Sequence, residues 1–183
     1  ATIGAAVRAC QGRVVTIERE PDRVAASRRA LGRLHTTVPV ECRTGEESDA
    51  ALWPDRPSLV VALHACGPAA DAVINRAIAV AARALLLVPC CTSRAVAAAA
   101  LAEAAARALP IPSHAPVRRR FIQAVVDAER TWRLEAAGYE TEVVELVGAT
   151  VTPHNLLWRA RRVGEPGRMA AAAQALARLH GLA

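Results

Sequence analysis

Two apolar runs in this 183-residue chain each end on side chains that can do chemistry. Residues 59–63 lead into His64-Ala65-Cys66-Gly67, and residues 85–88 lead into Pro89-Cys90-Cys91. An imidazole with an ordinary pKa of about 6.5 can take a proton near neutral pH, which makes His64 the natural proton acceptor. Asp71, one turn into the segment that follows, is spaced to orient it. Cys66 stands beside it as the third candidate for a catalytic role. A thiol after each of two adjacent strands can attack a pyrimidine ring and aid its release, but no acidic residue accompanies Cys66 to protonate that ring. His64, Cys66, Cys90 and Cys91 together have the donor chemistry of a zinc set, although the adjacent pair is poorly spaced for one ion. The HAC and PCC pieces also echo zinc deaminases, without the glutamate two residues after the histidine or the gap between the cysteines. Small buried thiols and a histidine satisfied at a strand end are the bland alternatives.

A second group of polar residues lies upstream. Glu18 closes residues 13–17, which read as a strand, and an acceptor-only carboxylate at a strand tip can receive both hydroxyls of a ribose. The alternative is an acid that only helps to start the helix at Pro21. Gly45 and Glu46 follow the next run in the equivalent place. Downstream, His154 and Asn155 precede the last run, where they either line a substrate opening or only set a hairpin turn. Trp132 and Tyr139 read as core anchors and not as base-stacking platforms.

These residues need strands to carry them. Residues 59–63 and 85–88 are short, unbroken and rich in branched side chains, as in strands buried on both faces of a parallel sheet. Residues 68–82 between them read as a helix opened by Pro68, so the two strands should be neighbours and both tips should meet at one carboxyl edge. Residues 2–10 resemble the back half of a helix. Residues 13–17 then form a strand, 21–34 a helix and 38–42 a strand, while Trp53 to Pro57 make a turn. Alanine-rich 95–109 and the longer 117–137 are helices separated by a proline-broken loop, and Gly138 stops the second. Residues 141–147 and 155–160 alternate as an antiparallel pair, and residues 169–182 form a last helix.

Length and composition favour one domain over 1–183, with a core over 1–163 and a C-terminal helix over 164–183. The fold class is α/β: a Rossmann-like, mostly parallel sheet with helices on both faces and an antiparallel C-terminal strand pair. No apolar run reaches the roughly 18 residues of a membrane span, and the start lacks the layout of a secretion signal, so the expectation is a soluble, cytoplasmic protein with no membrane partner. Five cysteines without framework spacing point to reduced thiols. The net charge of +6 comes from 23 arginines and no lysine. Beside so many alanines this is a habit of composition, and Arg118-Arg119-Arg120 reads as a solvated helix face before a phosphate patch.

An acid after one strand, Gly45-Glu46 after the next, His64 to Gly67 after the third and a terminal antiparallel pair together resemble the class I S-adenosylmethionine-dependent methyltransferases. The segments LHACGPAAD, LLLVPCC, DAERTWRLEAAGYE and VTPHNLLWRA resemble a bacterial methyltransferase-domain subgroup related to eukaryotic tRNA ribose methylases. The resemblance implies S-adenosylmethionine as cofactor and a methyl-acceptor partner, tRNA or another RNA. It assigns the cofactor ribose to Glu18, the adenine side to Gly45 and Glu46, and the loop facing methyl donor and substrate to His64, Ala65, Cys66 and Gly67. The family's first strand and glycine-rich loop have no counterpart here, as though the chain began just after them. That strand would be central, so a gap beside residues 13–17 and 59–63, or a direct pairing of the two, is expected. The competing functional class is a binding module that keeps the fold without turnover.

Overall fold

The computed structural model describes residues 12–34, 36–89, 94–148 and 155–181. The helix expected over 2–10, Cys90, Cys91, Thr152, Pro153 and His154 lie outside them. The chain divides into two compact units, Ala1–Asp55 and Arg56–Ala183.

In the first unit, β1 (Val14–Glu18) and β2 (Val40–Thr44) form a parallel pair in which Glu18 stands opposite Thr44. Helix α1 (Pro21–Leu31) connects them. Pro21 begins it because a first helical residue needs no N–H partner, and Asp22 in the first turn with Arg28 and Arg29 in the last match the helix dipole. Arg28 also donates from Nη2 to the Cys42 carbonyl at 3.0 Å, fastening the helix end to β2. Beyond β2, Asp49 caps a single 3-10 turn over Ala50–Leu52, and the Trp53 indole N–H donates to the Glu47 carbonyl.

In the second unit, β3 (Val60–Leu63), β4 (Ala84–Val88), β5 (Tyr139–Glu145) and β6 (Leu156–Arg162) form a sheet in the order β3-β4-β6-β5. β3 and β4 are parallel neighbours joined through helix α2 (Pro68–Ala79), as the apolar runs predict. β5 and β6 are antiparallel, and β6 is inserted between β5 and β4, antiparallel to both. The two sheets and five helices among the described residues make a Rossmann-like α/β fold.

One expectation about the strands is corrected. Leu85 and Leu87 of β4 are fully buried, but β3 is covered on one face only: Val60 is buried, whereas Leu59, Val61 and Leu63 are 50%, 41% and 45% exposed. β3 is also the edge strand of its sheet among the described residues. β1 and β3 lie in different sheets, each with one partner strand among the described residues, and they do not form the direct pairing that was the alternative to a gap.

Helices α3 (Ala99–Ala108), α4 (Ala115–Ala136) and α5 (Pro166–His180) complete the unit. Val96, Ala98, Ala99, Ala102, Val125 and Val126 form a buried cluster with Phe121, Ile122 and Leu179 at its margin. Alanines let the helix backbones approach closely, so the cluster fills with small groups. Trp158 is buried, and its indole N–H donates to the Thr131 hydroxyl at 3.1 Å. Fully buried Tyr139 directs its hydroxyl at the carbonyls of Ala77 and Ala82, 3.1 and 2.8 Å away, which locks the end of α2 to the start of β5.

Candidate functional site

The carboxyl edge of the first sheet carries Glu18, Gly45 and Glu46. The Glu18 carbonyl accepts from the Gly45 N–H at 3.1 Å, so the strand register brings the first two together. The Glu18 side chain is one-third exposed. Its Oε1 accepts from the Glu20 N–H at 3.1 Å, and Arg23 Nη1 lies 3.8 Å from its Oε2. A carboxylate has about four acceptor directions, so the chemistry of this group suits a pair of ribose hydroxyls. Gly45 has φ +152°, a conformation that residues with a Cβ rarely adopt, so the turn after β2 favours glycine, and a Cβ there would also have to displace the Leu52 Cδ1 methyl, 2.5 Å away. Glu46 is exposed, and its carbonyl accepts from the Asp49 N–H.

The carboxyl edge of β3 carries the loop from His64 to Gly67. His64 is exposed, with φ 57°, a left-handed conformation uncommon for a residue with a Cβ and a recurrent feature of functional loops. Ala65 is buried and donates its N–H to the Val88 carbonyl at 3.2 Å, tying the loop to the neighbouring strand tip. Gly67, with φ 55° and ψ −126°, stands at the N-cap of α2 in a backbone region open to glycine alone.

Cys66 is exposed and disulfide-bonded, while Cys42 is a free, half-buried thiol. The expectation of reduced thiols throughout is therefore corrected at Cys66, because spacing along the chain does not reveal which sulfurs meet in space. A disulfide sulfur has no thiolate, so a nucleophilic role for Cys66 belongs to the reduced protein only. Among the described residues no three His, Cys, Asp or Glu side chains come together as a metal site.

Asp71, 6% exposed, is held from three sides. Its Oδ1 accepts from Arg130 Nε at 3.1 Å and from Arg133 Nη2 at 2.8 Å, and its Oδ2 accepts from the Ala97 N–H at 3.2 Å. Burial alone would raise the Asp71 carboxyl, but the hydrogen bonds and charges of Arg130 and then Arg133 outweigh it and hold the group below the usual carboxylate range. Arg133 also reaches Glu129 at 2.9 Å and Asn75 at 2.8 Å. Arg130 is fully buried and donates from Nη2 to the Gly67 carbonyl at 3.4 Å.

The sequence reading of the individual residues missed Arg130 and Arg133. The signal was present: Glu129 and Arg133 stand four residues apart, and Arg130 three after Asp127, on a helix whose neighbouring positions are apolar. Asn155 is buried and donates from Nδ2 to the Val147 carbonyl at 2.7 Å, which closes the ends of β5 and β6. A cavity of 440 Å³ lined by Ala97, Ala98, Ala100, Leu101, Glu129 and His180 contains none of the site residues expected from sequence.

Comparison with curated proteins and with solved structures finds no match for this chain. A protein family described as a methyltransferase domain matches residues 3–97, a span that includes Glu18, Gly45, Glu46, the His64–Gly67 loop and Asp71. That match extends over more than half of the 183 residues, and the chain belongs to this methyltransferase family.

Proposed function

We propose that the protein transfers a methyl group from S-adenosylmethionine to an RNA ribose hydroxyl. The observation that carries the cofactor reading is the half-buried Glu18 carboxylate at the tip of β1, bonded through its backbone to Gly45, within a methyltransferase family. Glu18 would accept the ribose hydroxyls, and Gly45 and Glu46 would border the adenine. When bound, S-adenosylmethionine supplies an electrophilic methyl group on a sulfonium. In the loop after β3, His64 would take the proton of the acceptor hydroxyl and Ala65 would border the cofactor. Asp71 supports His64 by anchoring the first turn of α2 and not by a direct bond: its hydrogen bonds run to Arg130, Arg133 and the Ala97 N–H. Orientation supplies much of the acceleration in such a transfer, so few side chains need to take part in the chemistry. RNA as the acceptor rests on the likeness of the HACG and TPHNLL segments to a bacterial methyltransferase-domain subgroup that is itself related to eukaryotic tRNA ribose methylases.

Titration calorimetry with S-adenosylmethionine tests the cofactor. Glu18→Ala should weaken binding by about 1.5–3 kcal/mol, the scale of charge-assisted hydrogen bonds. Unchanged affinity removes Glu18 from the site. Transfer of labelled methyl to unmodified tRNA, lost in His64→Gln with cofactor affinity retained, tests acceptor and base together.

A further inference from the structure

We propose that Arg130 is a positioning residue for the His64–Gly67 loop, holding the Gly67 carbonyl and the Asp71 carboxylate at once from inside α4. This rests on the reading of that loop as the place of methyl transfer. Arg130 lies beyond the 3–97 span that the family match covers, yet it reaches back 63 residues in sequence to Gly67 and 59 to Asp71.

The geometry separates its role from that of Arg133. Arg133 joins α4 to α2 through Asp71 and Asn75 and joins Glu129 on its own helix, which is sufficient to attach one helix to the other. Arg130 adds the contact to the loop carbonyl. It is completely buried, and its Nη1 has no hydrogen-bond partner, the Asp127 carboxylate being 3.9 Å away. Burying a guanidinium with one nitrogen unsatisfied is costly, and apolar side chains attach helices as well or better. A planar fork does what an apolar side chain does not: it fixes two acceptors in one plane, one on the loop and one on α2. The loop needs such a hold, because it carries two left-handed residues, His64 and Gly67, within four positions.

Hydrogen–deuterium exchange on the full chain tests this, with S-adenosylmethionine calorimetry beside it. Arg130→Lys keeps the charge but replaces the two separate nitrogens of the planar fork, Nε and Nη2, by a single one. Exchange at residues 64–67 should rise at least tenfold, α4 should stay as protected as in the wild type, and cofactor affinity should fall about tenfold. Arg133→Gln should leave the loop at its wild-type rate. Loop rates unchanged in Arg130→Lys, or loop and α4 loosening by the same factor, would overturn the proposal, the latter because it marks a plain stability role. Unchanged cofactor affinity in a variant with a loosened loop would break the link to methyl transfer. If Arg130→Lys fails to fold, Arg130→Met takes its place: it fills much of the same buried space without a donor, leaves Asp71 to Arg133 and the Ala97 N–H, and should speed loop exchange at least as much, and a loop left at the wild-type rate overturns the idea. A wild-type protein that binds no S-adenosylmethionine ends the cofactor reading alone, while the exchange rates still decide what Arg130 does.

Discussion

Asp71 is the residue on which most of the second unit's buried charge converges, and its substitution has a defined pH signature. At pH 7, Asp71→Asn leaves two guanidinium groups facing a neutral amide, and removal of one partner from a buried ion pair costs about 3–5 kcal/mol. The sign with pH follows from the direction of its shift. The folded carboxyl lies below its unfolded value of about 3.9, so its contribution is complete above that value and is lost as the pH falls through the folded one. Urea titrations at pH 7 and pH 3 should therefore show the gap between wild type and Asp71→Asn narrowing in acid; an equal gap at both would remove the charge argument. Gly45 offers a test of backbone strain at the same scale. With φ +152° and Leu52 Cδ1 in the way, Gly45→Ala should destabilise by at least about 1 kcal/mol in denaturant unfolding.

At the scale of elements, the terminal hairpin is held by its buried face and not by its charges. Glu140 faces Arg161 and Glu142 faces Arg159 across β5 and β6, and both pairs form salt bridges in the open. Exposed pairs of this kind contribute about 0–1 kcal/mol, so Glu142→Gln should be close to neutral in thermal unfolding. Tyr139→Phe should not be. It removes the donor that serves the carbonyls of Ala77 and Ala82 at the junction of α2 and β5, and about 1–3 kcal/mol should be lost in the same measurement. A near-zero effect would mean that the α2–β5 junction is held by packing alone.

For the molecule as a whole, two buried groups bound the pH range of stability. Burial pushes the Tyr139 hydroxyl up against the smaller opposing effect of Arg162, so its contribution is complete below the unfolded value of about 10 and is lost as the pH rises through the folded one. Asp71 sets the acid limit in the opposite sense. Thermal scans should show a plateau between roughly pH 5 and pH 9 with a decline on each side; a maximum displaced toward the high isoelectric point would show that net charge dominates instead. No helix among the described residues is long and apolar enough to cross a membrane.

The order of strands and helices was legible in the sequence alone, and so was the placing of Glu18, Gly45 and His64 at strand tips; the ends were legible less well, the strand expected over 141–147 running over Tyr139–Glu145 and the helix expected over 169–182 over Pro166–His180. Those features depend on local causes: branched runs favour strands, prolines such as Pro21 and Pro68 open helices, and glycines such as Gly45 close turns. The tertiary structure alone decided that β6 enters between β4 and β5, that one face of β3 is open, that Cys66 is disulfide-bonded, and that Arg130 and Arg133 meet Asp71 about 60 residues away. Each of these is a choice between distant partners. A strand's alternation states which face it buries but not beside which strand, and a charged ladder on a helix states that something must satisfy it but not what. Only the closed packing of α2, α4 and the sheet brings the Asp71 carboxylate and the Gly67 carbonyl within hydrogen-bonding distance of the Arg130 guanidinium.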